Sequence, residues 1–127
     1  MLQPQEIEVF YVLPALRREI AICMKSAGNS QKNIAKHLGI TDAAVSQYFS
    51  SKRAASLEFN NTVKSAILES SKRITEELSA MREIQQLLNL IRKERIVCQV
   101  HETLGTAPKN CNICFENNQL VNIGSAK

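Results

Sequence analysis

The stretch SQKNIAKHLGITDAAVSQYFSSKR, Ser30 to Arg53, decides the fold. Ser30 suits a helix N-cap, because its hydroxyl accepts from an amide that the first turn leaves unpartnered. The helix it opens runs to Leu38, and Gly39 stops it. Thr41 is a second N-cap, opening a second short helix through about Phe49. Two short helices crossing steeply need a small residue at the crossing point, and Ala35 sits there. The turn needs a residue that accepts positive φ, and Gly39 follows four positions later. A shared core needs apolar residues at set offsets, and Ile34, Leu38, Ile40, Val45 and Tyr48 fill them. The pattern predicts a helix-turn-helix. The plain alternative is a helical hairpin with a glycine turn and no ligand. One apolar face arises readily by chance, but this whole set in register rarely does.

Charge points the same way. From Lys25 to Arg53 the basic residues are Lys25, Lys32, Lys36, Lys52 and Arg53, against the single acid Asp42. The chain as a whole is +4, so this segment carries the entire excess and the remainder is neutral. A focused basic segment on a neutral body is the footprint of a phosphate-binding face. A solvated helix surface that lacks acids has the same composition, so charge gains meaning only beside the two-helix pattern.

Upstream, Gln3 to Leu13 is ambiguous. Ile7, Val9, Tyr11 and Leu13 alternate as in a strand, while Ile7, Phe10 and Tyr11 fit one helical face. Pro4 suits the first position of a helix, which favours the helical reading. Pro14 starts, or kinks into, a clearer helix with Leu16, Ile20, Cys23, Met24 and Ala27 on its apolar face. Gly28-Asn29 ends it. Downstream, no Gly or Pro occurs between Arg53 and Gly105. Ser56 is the candidate N-cap of this long run. Ile67, Ile74, Met81 and Leu88 recur every seven residues, and Val63, Ile84 and Ile91 fill the complementary seam. That pattern predicts a long helix or a helical hairpin that packs against a second copy. The alternative is an amphipathic helix folded onto its own domain, but a small domain offers little surface to cover so long a seam.

The chain has 127 residues, 44% hydrophobic and 22% charged, ordinary values for one globular domain with a short appendage. Aromatics are only 5% and Trp is absent, so the core must be aliphatic. No window is long and apolar enough to span a membrane, and no basic segment leads into an apolar run at the start. A cytoplasmic, all-α protein is expected. Its expected parts are a helix-turn-helix domain at 1–55, a helical dimerisation region at 56–97 and a cysteine-rich tail at 98–127.

Of the four cysteines, Cys23 lies on an apolar helix face and reads as a small buried residue. Cys98, Cys111 and Cys114 fall within seventeen residues, with His101 three positions after Cys98. In a cytoplasmic protein such a cluster suggests metal ligands or redox thiols rather than a structural disulfide. Three accounts compete. One is an iron–sulfur cluster, of the 4Fe-4S type, held by the three thiolates, with His101 or a small ligand on the remaining iron. The second is structural Zn2+ in a Cys3His site. The third is a dithiol switch or thiol redox enzyme built on Cys111 and Cys114. Zinc ribbons usually place a Gly just after a cysteine pair, whereas Phe115 follows Cys114; apolar Ile113 and Phe115 suit the shielding of a cluster. No βαβ pattern surrounds the pair and no other catalytic set is visible, so an enzyme is the least favoured reading.

Ser30 to Arg53 resembles the helix-turn-helix of phage-repressor-like regulators, the XRE class. Together with Tyr11-Val-Leu-Pro-Ala-Leu-Arg17 it is similar to a family of small archaeal transcriptional regulators with cysteine-rich C-terminal ends. The resemblance covers Val9 to Arg53 well and the cysteine region loosely. It implies a homodimer on double-stranded DNA, with the second motif helix in the major groove and a metal centre sensing iron, redox or sulfur status. Asp42, Ala43, Ala44 and Gln47 would then face bases, with Gln47 best suited to adenine because its amide both donates and accepts. Ala43 or Ala44 suits a thymine methyl. Gln31 matches the family's phosphate anchor, and Ser46, Lys52 and Arg53 are expected phosphate contacts. Asp42 also has a purely helical role, since an acid in the first turn favours the helix dipole.

Overall fold

A computed structural model describes residues 2–50 and 57–105. The described chain is all-α. Helix α1 (Pro4–Ile7) leads through one wide turn, Glu8–Val12, into α2 (Leu13–Ser26). Then come α3 (Gln31–Leu38), α4 (Asp42–Ser50), α5 (Asn61–Arg73), α6 (Glu77–Lys93) and α7 (Ile96–Thr103).

The helical reading of the N-terminus holds, and Pro14 explains its wide turn. A proline ring collides with the carbonyl four residues earlier and offers no N–H to it. The chain responds by closing a larger loop, with the Leu13 amide donating to the Glu8 carbonyl. α2 ends as expected. Gly28 takes φ +100°, and Asn29 Nδ2 donates to the Met24 carbonyl at 3.0 Å.

The breaker-free run after Arg53 is not one helix. Helix α5 starts at Asn61, not near Ser56, and Asn60 caps it by accepting from the Val63 amide at 2.9 Å. Ser56 itself lies outside the described residues. The chain breaks again at Ile74, which is extended (φ −84°, ψ 110°). There Ser79 Oγ accepts from the Thr75 and Glu76 amides, each at 3.0 Å, and so starts α6. A third break falls at Arg95, in the left-handed region (φ 57°), so Cys98 belongs to the short α7 rather than to the end of a long helix.

The run is therefore a hairpin, α5 against α6, with α7 folded behind it. Arg73 Nε donates to Glu83 Oε1 at 2.9 Å across the hairpin, where Glu83 is buried. At the far end Arg92 grips Glu8 with two bonds, 2.6 and 3.0 Å, tying α6 to the N-terminal turn.

Val63, Ile67, Ile74, Ile84, Leu88 and Ile91 all enter one core with Ile7, Leu16 and Ile20 from the N-terminal helices and Ile34, Leu38 and Val45 from α3 and α4. The seven-residue recurrence is thus satisfied within a single chain. Met81 is the exception, at 60% exposure. The surface judged too small to cover the seam is supplied by α2, which packs on α5, and by α3 and α7, which pack on α6. Each fully buried Ile or Leu contributes roughly 1.5–3 kcal/mol by leaving water.

Gly39 sits at φ +68°, ψ 33°, and a Cβ there would come within 2.5 Å of Glu77 Oε1. The collision involves the end of a flexible side chain, whereas the φ value belongs to the turn. We expect Gly39→Ala to lower unfolding stability by about 1–2 kcal/mol in urea melts, the cost of one left-handed L-residue. The same loss should persist in a Glu77→Ala background. A variant as stable as wild type would show that the turn does not need glycine.

Candidate nucleic-acid interface

The α3–α4 pair is built from its caps inward. Ser30 Oγ accepts from the Asn33 amide at 3.1 Å and Thr41 Oγ1 from the Ala44 amide at 3.0 Å. Between them the Gly39 turn lets the Ile40 amide reach the Ala35 carbonyl at 3.0 Å. Ile34, Ala35, Leu38 and Val45 are buried, Ile40 and Phe49 are half-buried against the same core, and Tyr48 is half-buried. Five of the motif's apolar and small positions, Ile34, Ala35, Leu38, Ile40 and Val45, therefore meet in one core around the Gly39 turn.

The outward face of α4 carries Ala43, Ser46, Gln47 and Ser50, all exposed at helical spacing. Ala44 is half-buried, which leaves Ala43 as the alanine on the open face. Asp42 is exposed at the helix start. Gln31 is not an isolated side chain. Its Nε2 donates to the Asp42 carbonyl at 3.2 Å and to Ser46 Oγ, so the first residue of α3 holds the first turns of α4. Lys32 and Lys36 are exposed on α3. Lys52 and Arg53 lie outside the described residues.

Two supporting contacts escaped the sequence reading. Arg18, on α2, donates from Nε to the Tyr48 carbonyl at 3.0 Å, satisfying an acceptor in the last turn of α4. Lys25 Nζ stands 4.6 Å from the Phe49 ring centroid, a cation–π contact that holds a positive charge at the same end. Arg17-Arg18 was visible as a basic pair, but no local pattern says which of two adjacent arginines reaches a carbonyl thirty residues downstream.

At the other end, Cys98 and His101 are half-buried on α7, one turn apart. Cys111 and Cys114 lie outside the described residues. Among the described residues no group of three or more His, Cys, Asp or Glu side chains converges on one point. No helix among them is long and apolar enough to cross a membrane.

No protein family, curated protein or solved structure matches the chain. The resemblance to archaeal regulators rests on the residues quoted for it.

Cys23 is half-buried against the core. Burial pushes its thiol above the usual value, the Glu19 carboxylate adds to that, and a hydrogen bond with Ser71 only partly offsets them. Both main causes disfavour the thiolate, which is the reactive form. At pH 8 we expect Cys23 to be alkylated by iodoacetamide more slowly than a thiol in an unfolded peptide, read by mass spectrometry of the digested protein. Labelling as fast as in denaturant would contradict its burial.

Proposed function

We propose that the chain is a sequence-specific regulator that binds double-stranded DNA as a homodimer, using α3 and α4 as a helix-turn-helix. The observation that carries this reading is the outward face of α4. Its side chains are small or amide-bearing, so the helix backbone can approach a groove floor closely, while its inner face is locked to the core. Gln47 stands in the middle of that face, where a bidentate amide distinguishes adenine. Lys32 and Lys36, with Lys52 and Arg53 further along the chain, supply phosphate contacts. Gln31 holds Ser46 in place, so these two side chains act as one phosphate-facing unit. Asp42 serves the helix dipole and not a base.

Binding should weaken steeply with salt, because basic side chains release counterions from DNA. In fluorescence anisotropy we expect Lys52→Ala to weaken all duplexes about equally. Gln47→Ala should cost about 1–3 kcal/mol on a selected site and little on random duplex. Equal losses on both duplexes would remove Gln47 from the base-reading set.

The same proposal assigns Cys98, Cys111 and Cys114 to an iron–sulfur cluster of the 4Fe-4S type. Three thiols within seventeen residues, with apolar Ile113 and Phe115 on either side of Cys114, support it. A second reading, zinc held by these cysteines and His101, is favoured by one observation: Cys98 and His101 share one face of α7 at one-turn spacing. Anaerobically purified protein should be brown with broad visible absorption, and Cys98→Ser should lose it. A colourless protein with one zinc per chain would establish the second reading. A metal-free protein whose Cys111 and Cys114 oxidise reversibly would make them a redox pair.

A further inference from the structure

The seven-residue pattern is consumed inside the chain, yet α6 keeps two large apolar side chains on its outer face. Leu78 is 64% exposed and Met81 60%. They stand one turn apart on the first half of the helix, and exposed, uncharged Gln85 continues the strip by another turn. The strip ends there, because Leu88, the next position in line, is buried in the core. Its two flanks carry opposite charges. Glu77 lies along one side and Arg82 along the other. Both are exposed, and neither forms an ion pair among the described residues.

We propose that Leu78 and Met81 are the centre of a parallel, two-fold pairing of α6 with α6 of a second copy of this chain. In heptad terms Leu78 and Gln85 occupy a and Met81 occupies d, which makes Glu77 a g position and Arg82 the following e. Parallel two-stranded packing sets each g against the e of the next heptad on the other helix. Glu77, once the flexible end of its side chain swings off the Gly39 turn, then faces the partner's Arg82, and the two-fold axis makes the contact twice. Antiparallel packing sets like flanks together, glutamate side to glutamate side and arginine side to arginine side. Charge therefore selects the parallel arrangement. The contact spans only the turns from Glu77 to Gln85, so the pairing belongs with small, readily dissociating interfaces.

The pairing rests on the DNA-binding reading for its purpose and deepens it. The first turn of α6 lies against the Gly39 turn, as the approach of Glu77 to Gly39 shows. Parallel α6 helices thus bring both α3–α4 units to the same end of the dimer, on either side of the two-fold axis. Two half-sites on one face of a duplex require that arrangement.

Light scattering without DNA tests the pairing. Over a concentration series into the high micromolar range, the mass should rise from 14.2 kDa towards twice that value. The double variant Leu78→Glu/Met81→Glu should stay monomeric throughout, with unchanged helical circular dichroism. Glu77→Arg and Arg82→Glu should each weaken the dimer alone, and an equimolar mixture of the two should restore it, because the mixed pair has opposite charges at both contacts. A monomeric wild type, a dimer that survives the double variant, or a mixture no tighter than its components would overturn the proposal. Duplex binding separates this outcome from the functional reading. The monomeric variant should keep wild-type affinity for a single half-site and lose the tighter binding to a two-half-site duplex. If neither protein binds duplex DNA while the mass results hold, the regulator reading fails and the pairing stands.

Discussion

At Gly39 the backbone turns left-handed, and the Ile40 amide reaches back to the Ala35 carbonyl. That reversal fixes the direction in which α4 leaves α3, and much else depends on it. Because α4 departs at that angle, Val45 drops into the core beside Ile34 and Leu38, and Phe49 packs against the same core. The opposite side of α4 is then left open, with Ala43, Ser46 and Gln47 in a row. An L-residue in the turn pays about 1–2 kcal/mol in backbone strain, a large fraction of the stability of a small domain. The neighbouring contacts reinforce the turn from three directions. Gln31 holds the start of α4, Arg18 caps its end, and Glu77 closes over the glycine from α6.

The rest of the chain is a support for that pair. α2 runs behind α4, α5 packs on α2, and α6 closes the arrangement by packing on α5 and α3. Two side-chain clasps hold the support at its ends: Arg73 with buried Glu83 at the hairpin turn, and Arg92 with Glu8 at the N-terminal turn. Glu83 is the more consequential acid. Removing Arg73 would leave a carboxylate buried without its cation, which costs more than the loss of an exposed pair. Helices from the expected DNA-binding and dimerisation regions share this one core, so a change in the hairpin is felt at α3 through direct packing.

Much of the two-helix unit was legible because its constraints are local. Ser30, Gly39 and Thr41 announce their roles through cap and turn chemistry, and the structure places all three in those roles. The hairpin was only half legible. Without Gly or Pro, the run from Arg53 to Gly105 looked continuous, and a strict seven-residue recurrence favours a coiled coil. The break at Ile74 does carry a signal in charge order. Lys72-Arg73 completes one helix and Glu76-Glu77 opens another, the signs that the dipoles of a C-terminus and then an N-terminus prefer. Ile74 and Thr75 between them are β-branched and suited to extended backbone. The break at Arg95 has no comparable marker, since a non-glycine residue at positive φ is rare. Burial was misjudged where it depended on distant partners. Met81 follows the same recurrence as Ile74 and Leu88, yet only those two are buried once the hairpin folds.

In the proposed function the outward face of α4, with the start of α3, is the surface that meets duplex DNA. Backbone amide chemical-shift mapping tests it most directly, by titrating isotope-labelled protein with a duplex at low salt. Saturable shifts are expected on Gln31, Lys32 and the α4 residues Ala43, Ser46, Gln47 and Ser50, with core residues of α5 such as Ile67 unmoved. Shifts centred on α7, or scattered evenly over every exposed lysine and arginine, would contradict it.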